Sequence, residues 1–266
     1  MKSGISAALV VFALAAGGWW YLRQANVEQA EADPTELIDG DWLEHLYSQN
    51  PKVAAEAARQ LNELGTEALP EIRAALEDPA TDPAVIKAAL KACGLLGPIA
   101  APAIDDVAAH LPDPELTEEA AVALSFLGRE AYAPLRAGTS SEDPVVRRES
   151  LRSLGKLRDR APLDERAVVP LQLKGLTDPD PGVRVVAATY LGIMEADGPT
   201  VVPALITALK DEQPDVRAAA ATALGSFEEQ RGAAIPALKK AAADRNDDVA
   251  REAGLSIVKL QSSSIK

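Results

Sequence analysis

One stretch of sequence is written twice in succession. Residues 181–213 read PGVRVVAATYLGIMEADGPTVVPALITALKDEQ, and residues 214–246 read PDVRAAAATALGSFEEQRGAAIPALKKAAADRN. Under a shift of 33 positions Val183, Arg184, Leu191, Gly192, Pro203 and Leu205 fall on Val216, Arg217, Leu224, Gly225, Pro236 and Leu238. A fixed period of this length signals a solenoid of stacked helical pairs. The chain is therefore expected to be all-α, a right-handed α-α superhelix.

The repeat extends well beyond its two best copies. With the conserved-register Val as a marker, equivalent positions are Val53, Val85, Leu116, Val146, Val183, Val216 and Val249, with a 37-residue interval after Val146. Nine residues past the marker stand Asn62, Gly94, Ser125, Gly155, Gly192, Gly225 and Val258, mostly small residues that let neighbouring helices approach. Glycines at Gly65, Gly97 and Gly128 are placed as helix C-caps. Prolines at Pro70, Pro102, Pro134, Pro170, Pro203 and Pro236 are expected to open each second helix, where an amide lacks a partner anyway. Between markers the apolar spacing is helical, as in Val183, Ala187, Tyr190 and Leu191. Seven first helices and six second helices give about six and a half helix pairs over residues 50–261. At about 9–10 Å between packed helices, the stack is some ~60 Å long. A polar tail, 262–266, follows.

The first 23 residues differ in kind. An uncharged run from Ser3 to Leu22 is followed by Arg23, and Trp19, Trp20 and Tyr21 sit where an interfacial aromatic belt would lie. Residues 5–22 would span about 27 Å as a helix, close to the hydrocarbon thickness of a bilayer. One N-terminal transmembrane signal anchor over 1–23 is expected. Lys2 favours an inside N-terminus with the repeats on the exported side. Secretion after cleavage near Ala13-Leu14-Ala15 is the rival reading. Residues 24–49 then form an acidic spacer and an N-terminal cap, in which Trp42, Leu43, Leu46 and Tyr47 would cover the open end of the stack.

The motif Asp-x-x-Val-Arg-x-x-Ala-x-x-x-Leu-Gly followed by Pro-x-Leu resembles the HEAT-repeat family, in particular its short bacterial form. The resemblance is clearest around Val146-Arg147, Val183-Arg184 and Val216-Arg217. It implies a structural ladder between neighbouring repeats built from Asp143, Arg147, Asp180, Arg184, Asp215 and Arg217. Ala54, Ile86, Thr117 and Ala250 replace the arginine elsewhere, so the ladder is expected only in the later half. The same short repeats resemble those of phycobilin lyases. That likeness is architectural and transfers no chemistry.

Catalytic constellations are not legible. His45 and His110 are far apart and belong to no metal-binding pattern, and Cys93 falls on a helix-packing face. No enzyme activity, cofactor or metal is expected. The net charge of −13 argues against nucleic acid as a partner. Charge is nevertheless uneven: residues 24–143 hold 23 acidic and 7 basic side chains, whereas residues 144–176 hold 4 acidic and 8 basic. The family resemblance places second helices on the concave face, where Glu71, Glu77, Asp105 and Asp106 contrast with Lys174, Lys210, Lys239 and Lys240 further on. With the basic fourth repeat (Arg148, Arg152, Arg158, Arg160) and a long loop expected over 156–169, these are the candidate contacts for a protein partner. The chain is read as a membrane-anchored scaffold at the cell envelope, or as an accessory structural subunit of a membrane protein complex; a lyase-like enzyme is the remote alternative.

Overall fold

The computed structural model describes residues 42–161 and 165–262. The expected anchor over 1–23, the spacer before Trp42 and the last four tail residues lie outside the described residues. A short helix α1 (Trp42–His45) precedes seven first helices: α2 (Pro51–Leu64), α4 (Pro83–Leu96), α6 (Thr117–Leu124), α8 (Pro144–Arg160), α10 (Pro181–Met194), α12 (Pro214–Leu224) and α14 (Asp247–Ser262). Each of the first six is followed by a second helix: α3 (Leu69–Glu77), α5 (Ile104–Ala108), α7 (Tyr132–Gly138), α9 (Glu165–Gly175), α11 (Gly198–Ala208) and α13 (Arg231–Ala241). First helices pack on first helices from α2 to α14. The core is the seam between the two layers, filled by the markers Val53, Val146, Val183, Val216 and Val249 and by leucines such as Leu154, Leu191, Leu205 and Leu238.

Four of the first helices, α2, α4, α8 and α10, begin by the same local rule. A side-chain oxygen four residues before the arginine register accepts an amide of the first turn: Asn50 from Lys52, Asp82 from Ala84, Asp143 from Val145 and Asp180 from Val183. Proline at the next position has no amide to lose there. Gly65, Gly97 and Gly128 end their segments with φ of 52°, 59° and 94°. Their backbone therefore enters the region that side chains disfavour. In the fifth repeat Glu195 occupies the same register with φ 50°.

Two expectations are corrected. Pro170, Pro203 and Pro236 lie inside α9, α11 and α13 rather than at their starts, because five helical residues precede each. All three are exposed, so water can reach the carbonyl that each leaves without an amide partner. The long loop expected over 156–169 is mostly helix: α8 runs to Arg160 and α9 starts at Glu165. The extra residues lengthen α8 to 17 residues because its apolar register continues through Leu154, Leu157 and Ala161, all buried.

The cap is present. Trp42, Leu43 and Leu46 are buried against α2 and α4, and the indole Nε1 of Trp42 donates to Glu71 at 3.1 Å. Tyr47 is more open, with the Lys91 ammonium 4.5 Å above its ring.

Small residues set the spacing between first helices. A Cβ built on Gly192 would stand 2.6 Å from the Ala223 Cα, and one on Gly225 would stand 2.6 Å from Ser256 Oγ. Gly254, inside α14, would meet nothing within 4 Å. Alanine normally stabilises a helix interior by about 1 kcal/mol over glycine, whereas overpacking costs about 1–3 kcal/mol. Gly254→Ala should therefore raise the thermal midpoint and Gly192→Ala should lower it, as read by circular dichroism melts.

The fourth repeat carries polar atoms in its core. Ser150 and Ser153 occupy registers held by alanine in the second repeat (Ala89, Ala92), and Gln172 occupies the register of Leu205 and Leu238. Ser150 Oγ, Ser153 Oγ and Gln172 Oε1 are buried without a hydrogen-bond partner. A buried polar atom left unsatisfied costs about 1–3 kcal/mol. The combined variant Ser150→Ala/Ser153→Ala should melt at higher temperature than the wild type.

Candidate interaction surface

Three arginines tie successive repeats together. Arg147 Nε and Nη2 donate to Asp178, Arg184 donates to Asp211 and Arg217 to Asp244 in the same two-pronged way, every distance 2.8 Å. The remaining nitrogen, Nη1, donates to two carbonyl oxygens of the turn before its own helix: Ser141 and Glu142, Asp178 and Pro179, Asp211 and Glu212. Each aspartate also accepts the amide two residues ahead, at Asp180, Gln213 or Asn246, and so steadies the turn it stands in. Turn, arginine and next turn are thereby linked in series from the fourth repeat to the end.

The carboxylates of this ladder are not those expected. Asp143 and Asp180 are helix N-caps, and Asp215 is exposed in the first turn of α12. A cap oxygen is spent on its own helix, four residues before the arginine. The guanidinium instead reaches forward to a turn residue of the following repeat, six positions before that repeat's own arginine register.

Where the arginine is missing, its partner is missing too. At the preceding junction Thr117 stands in the arginine register and Ser141 in the aspartate register. Thr117 Oγ1 donates to the Asp113 carbonyl oxygen at 2.7 Å, closing its own turn without reaching the next. One junction earlier both registers are apolar and buried, Ile86 and Leu111. Charges thus leave in pairs, as expected where an unpaired charge would be costly.

For Asp178 and Asp211, burial alone would raise the pKa. The hydrogen bonds from Arg147 and Arg184, the turn amides and the nearby guanidinium charges outweigh it and hold both carboxyls below their ordinary range. At Asp244 the Arg217 hydrogen bond leads and the direction is the same. A depressed folded pKa contributes stability that is present above the unfolded value, near ~3.9, and is lost as pH falls through the folded value. Thermal midpoints should accordingly fall below about pH 4, and Asp211→Asn should make that acid dependence shallower while lowering the midpoint at pH 7. Arg184→Ala should cost about 1–3 kcal/mol in a urea titration.

The charged candidates separate on inspection. In the first half, Asp106 and Glu77 are both bound by Arg73, at 2.6 and 3.1 Å, and Glu71 accepts from the cap tryptophan. Asp105 is exposed on α5. These acids are largely spent within the scaffold. Lys174 on α9, Lys210 after α11, and Lys239 and Lys240 on α13 are all exposed and spread over three repeats rather than gathered.

The fourth repeat is different. Arg148, Arg152, Lys156 and Arg160 follow one another at four-residue spacing along α8, and so share one face. Glu149 is only 2% exposed, with its two oxygens taken by Arg148 Nε at 2.9 Å and Arg152 Nη1 at 2.7 Å. Burial and the neighbouring charges of Arg152 and Arg160 push the Lys156 ammonium below its usual pKa. Arg160 stacks 3.7 Å above the Phe126 ring and donates to Ser125 Oγ at 2.9 Å. Arg158 is half-buried on the same helix. The sequence showed the basic excess of this repeat; the contribution of Phe126 depended on a packing contact between α8 and the end of α6 that no local pattern signals.

The groups with chemical potential are occupied structurally. Cys93 is fully buried, its thiol pushed up to about 12 chiefly by that burial. His110 donates from Nε2 to the Leu76 carbonyl oxygen at 3.0 Å. Among the described residues, no cluster of three or more His, Cys, Asp or Glu could hold a metal ion.

The family described as HEAT repeats matches residues 41–125 and 169–257, more than half of the chain. The protein belongs to the HEAT-repeat family. The interval between the two matches, 126–168, contains the whole of α8. No curated protein matches. Among solved structures, the archaeal HEAT-like repeats protein from Thermococcus onnurineus NA1 aligns at 15% identity and TM-score 0.52, covering 88% of this chain and 99% of that one. Kap121p aligns at 14% identity and TM-score 0.59 over 77% of this chain and 26% of its own length. The CpcE–CpcF complex of phycocyanin lyase from Nostoc sp. PCC7120 aligns at 23% identity and TM-score 0.49, covering 58% and 98%. At these identities the likeness is one of fold.

Proposed function

We propose that the chain is a non-enzymatic scaffold that holds a protein partner at the cell-envelope surface, tethered by the apolar run at 5–22 with its repeats on the exported side. The observation that carries this reading is the outward row of cations on α8. Ladder, caps and glycines account for the conspicuous residues of the other repeats, whereas in this row Arg148 and Arg152 are held by Glu149 of their own helix and Arg160 meets the third repeat at Ser125 and Phe126. A HEAT solenoid suits such a role, since its repeats present an extended surface of many exposed side chains on a backbone held by neighbour contacts. The anchor is supported by the length and aromatic flank of the N-terminal segment.

Charge reversal at Arg148 and Arg152 is a poor test, because it would strand the buried Glu149 between two acids. A photoreactive residue at position 158 or 174 of the full-length chain, in its native cells, avoids this. The expected result is a discrete crosslinked protein, absent when the residue is placed at position 232, where space is open. Crosslinks no different from those at 232 would remove the proposal.

A further inference from the structure

Successive repeats aim the same position at the helix that follows. A Cβ built on Gly94, Gly155, Gly192 or Gly225, nine past the marker, would meet Ala123, Tyr190, Ala223 or Ser256, each seven past the marker of the next repeat. Position six turns the same way, since Thr222 Oγ1 donates to Glu252 at 3.1 Å across the last seam. On α14 these two registers hold Val258 and Leu255. That helix packs on α12 and α13. Its other side leaves Leu255 59% and Val258 65% exposed, the most open large apolar side chains among the described residues.

Stacking does not account for this pair. Position six is Thr189 and Thr222 in the two repeats before, both exposed. The outer face of a terminal repeat is polar where it must stay in water, and an apolar one marks a surface that another surface covers. Val258 also excludes one occupant. At the glycine register a bare Cβ on Gly192 would already lie 2.6 Å from the Ala223 Cα. A valine there leaves no room for a further first helix at the standard spacing.

The opposite end of the stack is closed by Trp42, Leu43 and Leu46, so one copy cannot continue another head to tail. Asp247 and Asp248 open α14, and Lys259 stands in its last turn. Two such helices laid antiparallel therefore set acids toward a basic turn and opposite dipole ends side by side. Net charge favours this end as well. Residues 177–266 hold 13 acidic and 10 basic side chains, against 23 and 7 in 24–143, so a joint here holds the acidic repeats of two copies apart. We propose that α14 pairs antiparallel with α14 of a second copy about a two-fold axis, Leu255 and Val258 of each packing on those of the other. An isologous contact of this kind closes at two copies. The pairing is independent of the partner proposed for α8.

The test is sedimentation equilibrium of the full-length chain in a density-matched detergent. The wild type should show a monomer–dimer equilibrium at micromolar concentration. Leu255→Glu/Val258→Glu should raise its dissociation constant by about tenfold or more and leave the thermal midpoint unchanged, since both side chains are exposed. Leu255→Cys treated with a bis-maleimide should give a covalent dimer, whereas Asp105→Cys, exposed on α5, should not. Cys93 is fully buried and gives no background. Monomers at every concentration would overturn the inference and leave this face to an unlike partner. Dimers that the double variant does not weaken, or equal crosslinking from positions 255 and 105, would overturn it too.

Discussion

The close approach of each first helix to the next is the constraint on which the structure depends. From the second repeat to the sixth it is met by a residue with little or no side chain nine positions past the marker, and Gly192 against Ala223 shows how little room remains. That contact sets the spacing of the stack, and the spacing decides the rest. Asp178, Asp211 and Asp244 are within reach of a guanidinium one repeat back because neighbouring turns are held at a fixed separation. Once two repeats are in register, each arginine can close its own turn and grip the next with a single planar group, five donors in a fixed fork. Repeats without the pair keep the spacing by apolar contact and by other links, such as Arg73 to Asp106 and His110 to the Leu76 carbonyl oxygen.

This ordering explains what the sequence revealed and what it hid. The period, the marker positions, the cap and the C-cap glycines follow from local rules, and all were legible. The ladder's carboxylates were not, because the turn before α10 holds two aspartates and only three-dimensional reach distinguishes Asp178 from Asp180. The starts of α9, α11 and α13 were hidden because proline usually marks a first turn, and these helices tolerate it later, on an exposed side. The extra residues of the fourth repeat looked like a loop from the interval alone; their apolar register instead extends α8. For the surface, the excess of arginine was visible, whereas the burial of Glu149 and the joining of Arg160 to Phe126 were products of packing.

The fourth repeat departs from the others on both sides. Outward, it places cations at three positions that are all neutral in the fifth and sixth repeats. Inward, it places Ser150, Ser153 and Gln172 where alanine and leucine would pack without orphaned polar atoms. Departures from local consistency gather where a sequence answers to something besides stability. The family match passes over the same interval. The repeats that best fit the family pattern are the ones whose residues are most fully explained by stacking.

The central claim is that the fold does not need the outward residues of α8 and that partner binding does. Transplanting the sixth repeat's register onto the fourth tests both halves at once: Arg148→Ala, Glu149→Ala, Arg152→Thr and Lys156→Ser, matching Ala218, Ala219, Thr222 and Ser226. Removing Glu149 together with its two arginines leaves no stranded charge. Thermal unfolding and crosslinking from position 174 should be measured on the same variant. The account predicts an unfolding midpoint close to that of the wild type with loss of the crosslinked partner. A collapsed midpoint, or a native midpoint with the crosslink undiminished, would contradict it.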